Sequence, residues 1–306
     1  MAGWQRQFGA VASASSYVAT SLAMTSLTKY AASSWRFPGS SLLLLLECWA
    51  TVAALAATAP RGRPYKPFHR EILRRCSPVT VAKALNMYLS FIAMTRTSLP
   101  VYNVLKRLQP VYALAQDWAI RGTVASRPER AGVAMICVGT AVTGLGDLEF
   151  DPLGYGLALV AAACQSLYLV LARSAQDGMR ELSHVDLLFY TAFYNTALFA
   201  PLSLAEASEV WRFMGGPGEK LRFCRFLVPY VVLGALLNYA TFWCTSANSP
   251  LATAVAGTAK GVFSTMYGAI VLGARLTPLG WLGLLGSTAG GFVYSAAQAS
   301  RKGKTA

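Results

Sequence analysis

Lys260 stands near the middle of PLATAVAGTAKGVFSTMYGAIVL, an apolar run from Pro250 to Leu272. A cation at the centre of a bilayer costs roughly 2.5–3.5 kcal/mol on insertion scales, so it faces a partner or a water-filled cavity. By helical rise it lies roughly 15 Å from either end of the run, too far for easy escape to the interface. Gly257, Gly261, Gly268 and Ser264 share the run and suit close helix packing beside a polar cavity. Four more cations fall inside apolar runs: Lys29, Lys83, Lys106 and Arg107. Only Glu47 and Asp117 lie well inside as counter-ions, and five cations against two acids leave an excess of three. Uncompensated buried charge is costly, so a bound anion is the economical explanation. A diphosphate ester, with about two negative charges, fits the surplus and accepts paired hydrogen bonds from a guanidinium.

Some of these cations have a plainer use. Lys29 ends a run and Lys83 lies one or two turns inside another, so both are within reach of the interface. Lys106 and Arg107 are adjacent and point about 100° apart on a helix. One is expected to face the cavity while the other pairs with Asp117 or reaches headgroups. Phe193-Tyr194-Asn195 and Asn238-Tyr239 add amides that can donate and accept in one plane, and rings that can stack on a base. Tyr194 and Tyr267 fall near the middles of their runs, away from the interfacial belts.

The elements that must position these groups are long apolar segments. Hydrophobic residues make up 55% of the 306-residue chain and charged residues 13%, against about 25% charged in soluble domains. The sequence predicts an all-α polytopic membrane protein with spans at about 9–30, 38–59, 77–95, 99–120, 131–146, 153–172, 185–205, 225–246, 250–272 and 278–299. Ten spans divide into inverted halves, about 9–146 and 153–299, within one transporter domain over residues 1–300, with 301–306 as a tail. Ser98-Leu99-Pro100 leading to Lys106 is echoed faintly by Ser249-Pro250-Leu251 leading to Lys260.

Six scattered cysteines and two histidines argue against a disulfide frame, a metal site or a haem, and no cofactor is expected. The net charge of +14 comes largely from segments between spans, with six Lys or Arg at 61–76, three at 121–130 and three in RKGKTA. It is read as topology determination, with both termini cytosolic, and not as nucleic-acid binding. Arg212, Lys220, Arg222 and Arg225 fall on the opposite face and run against this pattern. The first apolar segment lacks a cleavage pattern and is expected to remain as a span.

TSLPVYNVLKR at 97–107, GDLEFDPLGYGLALVAAACQSLYLVLARSA at 146–175 and CTSANSPLATAVAGTAKG at 244–261 resemble the nucleotide-sugar transporter family, solute carrier family 35, especially its D branch. The resemblance covers about residues 80–300. It implies a ten-helix fold of the drug/metabolite transporter type and exchange of a cytosolic nucleotide sugar for a lumenal nucleoside monophosphate. Family members that carry GDP-mannose line their site with F-Y-N-N and G-A-L-N-K motifs. Here the first reads Phe193-Tyr194-Asn195-Thr196, and the second reads Ala256-Gly257-Thr258-Ala259-Lys260. Both second amides are missing, so a UDP-sugar exchanged for UMP is expected, with GDP-mannose for GMP as the alternative. Thr28-Lys29 resembles the family's Asn-Lys pair and adds Lys29 to the expected site. Lys302-Gly303-Lys304-Thr305-Ala306 resembles a dilysine retrieval signal read by coat proteins, which implies the endoplasmic reticulum or Golgi. Lipids are expected neighbours, and a homodimer is left open. A membrane glycosyltransferase would need a D-x-D element, which is absent. A transport-inactive trafficking partner and a plastid-type phosphate-ester carrier remain as rivals.

Overall fold

The computed structural model describes residues 2–58, 70–122, 124–146, 150–179, 184–247, 250–271, 273 and 277–305, and all regular structure among them is helical. Each predicted segment falls on a helix: α1 (Ala2–Lys29), α2 (Ser40–Thr58), α3 (Arg70–Arg96), α4 (Leu99–Lys106) with α5 (Gln109–Arg121), and α6 (Arg127–Leu145) in the first half. The second half holds α7 (Pro152–Asp177), α8 (His184–Ala205), α9 (Ala207–Met214), α10 (Glu219–Ala247), α11 (Pro250–Ile270) and α12 (Pro278–Thr305). Proline opens α7, α11 and α12, where its missing N–H would have had no intrahelical partner. Ser126 and Glu129 close α6 with a reciprocal capping box.

Two features depart from the sequence expectation. The segment 99–120 is not one continuous helix but breaks between α4 and α5. Pro110 lacks the N–H that would bond the Lys106 carbonyl, and the chain tightens there through bonds from Arg107 to Val104 and from Leu108 to Leu105. Among the described residues, only three helices are long and apolar enough by themselves to cross a membrane: Ser40–Ala57, Pro152–Ala172 and Val185–Ala205. Ser, Thr and Gly lower the hydropathy of α1 and α12, and charges do so in α3.

α6 packs along α12, α3 along α7, α2 along α8 and α1 along α10. α4 meets α11, α5 and α4 meet α7, and α11 meets α1. The α6–α12 seam is backbone on backbone. A Cβ added at Gly290 would lie 2.7 Å from the Ile136 nitrogen, and one at Gly132 would lie 2.6 Å from the Tyr294 nitrogen. Gly139 and Gly283 sit between them, each against the other helix's backbone. Only glycine fits such a seam.

One end of the bundle is closed by side chains from distant segments. The Glu206 carboxylate, just beyond α8, accepts bonds from Ser40 Oγ, Ser41 Oγ and Ser41 N at 2.9–3.0 Å and so caps α2. A π-helical turn, Tyr30–Ser34, extends α1 into this end. Arg36 then adopts φ 52°, and the rings on either side of it, Trp35 and Phe37, stack 4.8 Å apart. Phe213, Phe223 and Phe226 surround them. Trp35 Nε1 donates to Glu219 Oε2 at 2.7 Å, and the Arg222 guanidinium lies over the Trp35 and Tyr30 rings at 5.4 and 5.7 Å.

Candidate functional site

Inside the bundle lies a cavity of about 290 Å³ lined from α1, α2, α3, α4, α7, α8 and α10. Its charged groups are Glu47, Lys83 and Lys106, and Thr28, Asn86, Ser90, Tyr102, Tyr168 and Tyr230 give it a polar face. Lys106 reaches it because α4 ends at that residue, at the break made by Pro110. A cation at a helix C-terminus also meets the negative end of the helix dipole. Its ammonium sits 5.2 Å from the Tyr102 ring centroid.

The five intramembrane cations divide by how their donors are used. Lys29 Nζ donates to the Met94 and Thr97 carbonyls, each at 2.6 Å. These oxygens close the C-terminal end of α3, so Lys29 clamps α1 to α3. The Arg107 Nη1 donates to Leu284 O at 3.3 Å, to Ser287 Oγ at 3.0 Å and to Thr288 Oγ1, binding α4 to α12. Its Nη2 is buried without a partner among the described residues. Lys83, Lys106 and Lys260 have no hydrogen bond among the described residues; Lys83 interacts electrostatically with Cys48 and Glu47, and the other two lie over rings. Lys106 and Lys260 are therefore available to an anion, while Lys83 shares its wall with an acid.

Lys260 is half-buried on α11, with its ammonium 5.5 Å from the Tyr17 centroid. It does not line the cavity itself. Tyr17 belongs to α1, whose Met24 and Thr28 do line it, so Lys260 lies against a helix of the cavity wall. Arg107 lies beside it, since a Cβ on Gly261 would come within 3.7 Å of the Arg107 Nε and Nη2. Ser264 is buried and accepts a 2.8 Å bond from Asn103 Nδ2, tying α11 to α4. Tyr267 packs against the core around Leu99 and Tyr102.

Asn195 is fully buried on α8, one turn from the cavity-lining Ala192, and neither its Oδ1 nor its Nδ2 has a partner among the described residues. Such an amide is costly to leave unpaired. Tyr194 points elsewhere: its ring stacks on Tyr190 at 6.2 Å, in the cluster with Ile72, Cys76 and Leu187. The side chains of Asn238 and Asp117 and the surroundings of Gly257 lie outside the described residues. Sequence reasoning passed over Tyr17, Asn86, Ser90, Tyr102, Tyr168 and Tyr230 because polar residues in apolar runs carry no direction. Glu47 and Lys83 were visible as charges, and only the fold puts both on one cavity. Substituting Lys29 with Met should lower the detergent melting temperature, by about 1–3 kcal/mol of stability for two orphaned carbonyls. Half-saturation by substrate should change little, and thermal unfolding beside transport kinetics separates the two.

The model of the triose-phosphate transporter family matches residues 16–295. The chain belongs to that family. A relative from Arabidopsis thaliana, UDP-galactose/UDP-glucose transporter 7, is 30% identical over 94% of this chain and 89% of its own length. The GDP-mannose transporter of Scheffersomyces stipitis is 23% identical over 92% of this chain and 90% of its own. A protein of known crystal structure matches 97% of this chain and 98% of its own at TM-score 0.57 and 17% identity, a likeness of fold. The family and its relatives are transporters, and the resemblance to nucleotide-sugar transporters read from the sequence holds. Family membership and apolar helices together make this a multi-pass membrane protein.

Proposed function

We propose that this family member is a nucleotide-sugar antiporter that exchanges a cytosolic UDP-sugar for lumenal UMP by alternating access. The observation that carries the reading is the pair of ammonium groups, Lys106 and Lys260, left without hydrogen bonds among the described residues at and beside one internal cavity. Phosphate oxygens are strong acceptors for such donors. In this mechanism Lys106 and Lys260 hold the phosphates, with Arg107 behind them and Gly257, Ser264 and Tyr267 shaping α11. Asn195 supplies the unpaired amide for the base; Tyr194, stacked on Tyr190, shapes the wall behind it, and Asn238 completes the expected set. Lys29 belongs to the frame that holds α1 and α3 around the site. An empty cationic cavity reorients slowly, and an anion that neutralises it permits the crossing, which gives obligatory exchange.

The reading includes ten transmembrane helices arranged as two inverted five-helix repeats, with both termini cytosolic. The packing pairs support it. Numbering the ten segments in order, counting α4 with α5 as the fourth and omitting α9, pairs five with ten, two with seven and four with nine. The third packs on the sixth and the eighth on the first, an exchange of halves. Residence in the Golgi or endoplasmic reticulum is part of the same reading.

A UDP-sugar is favoured because the Arabidopsis relative is a UDP-galactose/UDP-glucose transporter and because Asn195 is followed by Thr196. GDP-mannose exchanged for GMP is the second reading, favoured by the Scheffersomyces relative. The test is uptake into liposomes containing the full chain. With internal UMP, labelled UDP-glucose or UDP-galactose should enter, and unlabelled UMP should compete where triose phosphate does not. Uptake of GDP-mannose alone, driven by GMP, transfers the assignment to the second reading; no exchange of any nucleotide overturns both.

A further inference from the structure

Glu47 is the acid that phosphate binding leaves unused. Its carboxylate lies on the cavity, where the Tyr230 hydroxyl donates to Oε2 at 3.4 Å. That is the only hydrogen bond to the carboxylate among the described residues. Gly234 on α10 lies close against it, since a Cβ there would come 3.2 Å from the Glu47 Cγ. The neighbouring cavity wall, from α2 and α3, carries Thr51, Lys83, Asn86 and Ser90. Ser90 Oγ donates to Asn86 Oδ1 at 3.3 Å, and the Asn86 amide N–H groups have no partner among the described residues. Lys83 and Glu47 interact electrostatically, so the carboxylate is not an isolated charge.

An ionised carboxylate accepts hydrogen bonds and donates none. A hexose presents hydroxyl donors in all directions. A terminal phosphate presents only negative acceptors, which a carboxylate repels. A nucleotide sugar and the bare nucleoside diphosphate differ at this point alone, the sugar replacing a terminal phosphate oxygen's charge. We infer that the α2–α3 wall is the glycosyl subsite, in which Glu47 takes hydroxyl hydrogen bonds from the sugar and turns away a terminal phosphate. Asn86 donates to ring or hydroxyl oxygens that Glu47 cannot serve. Glu47 thus sets which nucleotide diphosphate is carried, and the assignment rests on the nucleotide-sugar reading above.

The experiment measures half-saturation of the full chain in UMP-loaded liposomes for UDP-glucose and for UDP, with UMP as reference. Wild type should prefer UDP-glucose. In Glu47→Gln, affinity for UDP-glucose should fall about 10- to 100-fold, the range for hydrogen bonds to a charged group, while affinity for UDP rises. Glu47→Asp keeps the charge and shortens the reach, so it should weaken UDP-glucose and still exclude UDP. It reports even where the amide variant fails to reconstitute. An unchanged UDP-glucose to UDP ratio in Glu47→Gln, or equal loss for both ligands, overturns the subsite. Absence of UMP exchange in wild type defeats the transport reading instead.

Discussion

Lys260→Ala is expected to abolish nucleotide exchange while leaving the protein as stable as wild type or more so. The ammonium is half-buried over Tyr17 and forms no hydrogen bond among the described residues, so the fold depends on it little. Removing an unpaired cation from a span relieves roughly 2.5–3.5 kcal/mol of insertion cost. The phosphate, in contrast, loses a charged donor worth about 1.5–3 kcal/mol. It also loses part of the positive field that makes the loaded carrier neutral enough to reorient. Together these should reduce UMP-driven uptake of UDP-sugar at least 100-fold, with the melting temperature in detergent unchanged or raised. Lys260→Arg keeps the charge on a longer planar group and should fall between. Exchange at the wild-type rate in Lys260→Ala would remove this lysine from the mechanism.

Gly283→Leu should prevent folding of the bundle. A Cβ at this position would meet the Gly139 carbonyl at 2.5 Å and the Thr143 backbone nitrogen as well. Neither can move without displacing α6. Three more glycines, Gly132, Gly139 and Gly290, make the seam equally tight along its length, so no local adjustment absorbs a leucine. Overpacking of this kind typically costs 1–3 kcal/mol in a deformable core and more against backbone. Loss of the monodisperse peak on size exclusion is the expected result. Gly156→Ala is the matched control, because a Cβ there meets nothing within 4 Å. A Gly283→Leu protein that stays monodisperse would show that the two helices can part.

Much of the architecture was legible because apolar length is a strong signal: the expected segments fall on helices, with the fourth divided between α4 and α5. Pro110 was equally visible, yet a proline inside an apolar run does not announce whether the helix bends or stops. Here it stops, and the stop places Lys106 on the cavity. The cations were legible as types but not as roles. Lys29 is fixed by oxygens 65 and 68 residues away, and Arg107 by groups 177–181 residues away. Charge and local spacing hold no information at that range. The same limit hid the neighbourhood of Glu47 and Lys83, which come from different helices. Tyr194 and Asn195 are adjacent in a recognisable motif, yet the roughly 100° between neighbours on a helix sends them to different surroundings.

The aromatic cluster around Trp35 has a kinetic meaning. Ring pairs of this kind contribute about 0.5–1.5 kcal/mol each beyond their buried area. They form between a connection in the first half, with Trp35 and Phe37, and the α9–α10 region of the second, with Phe213, Phe223 and Phe226. Under the alternating access proposed above, the halves would part at this end once per cycle, and the cluster would then act as a latch that limits turnover. Arg222 lies over two of those rings and pairs with Glu219 at 3.4 Å, so the grip would have an ionic part that weakens as salt rises.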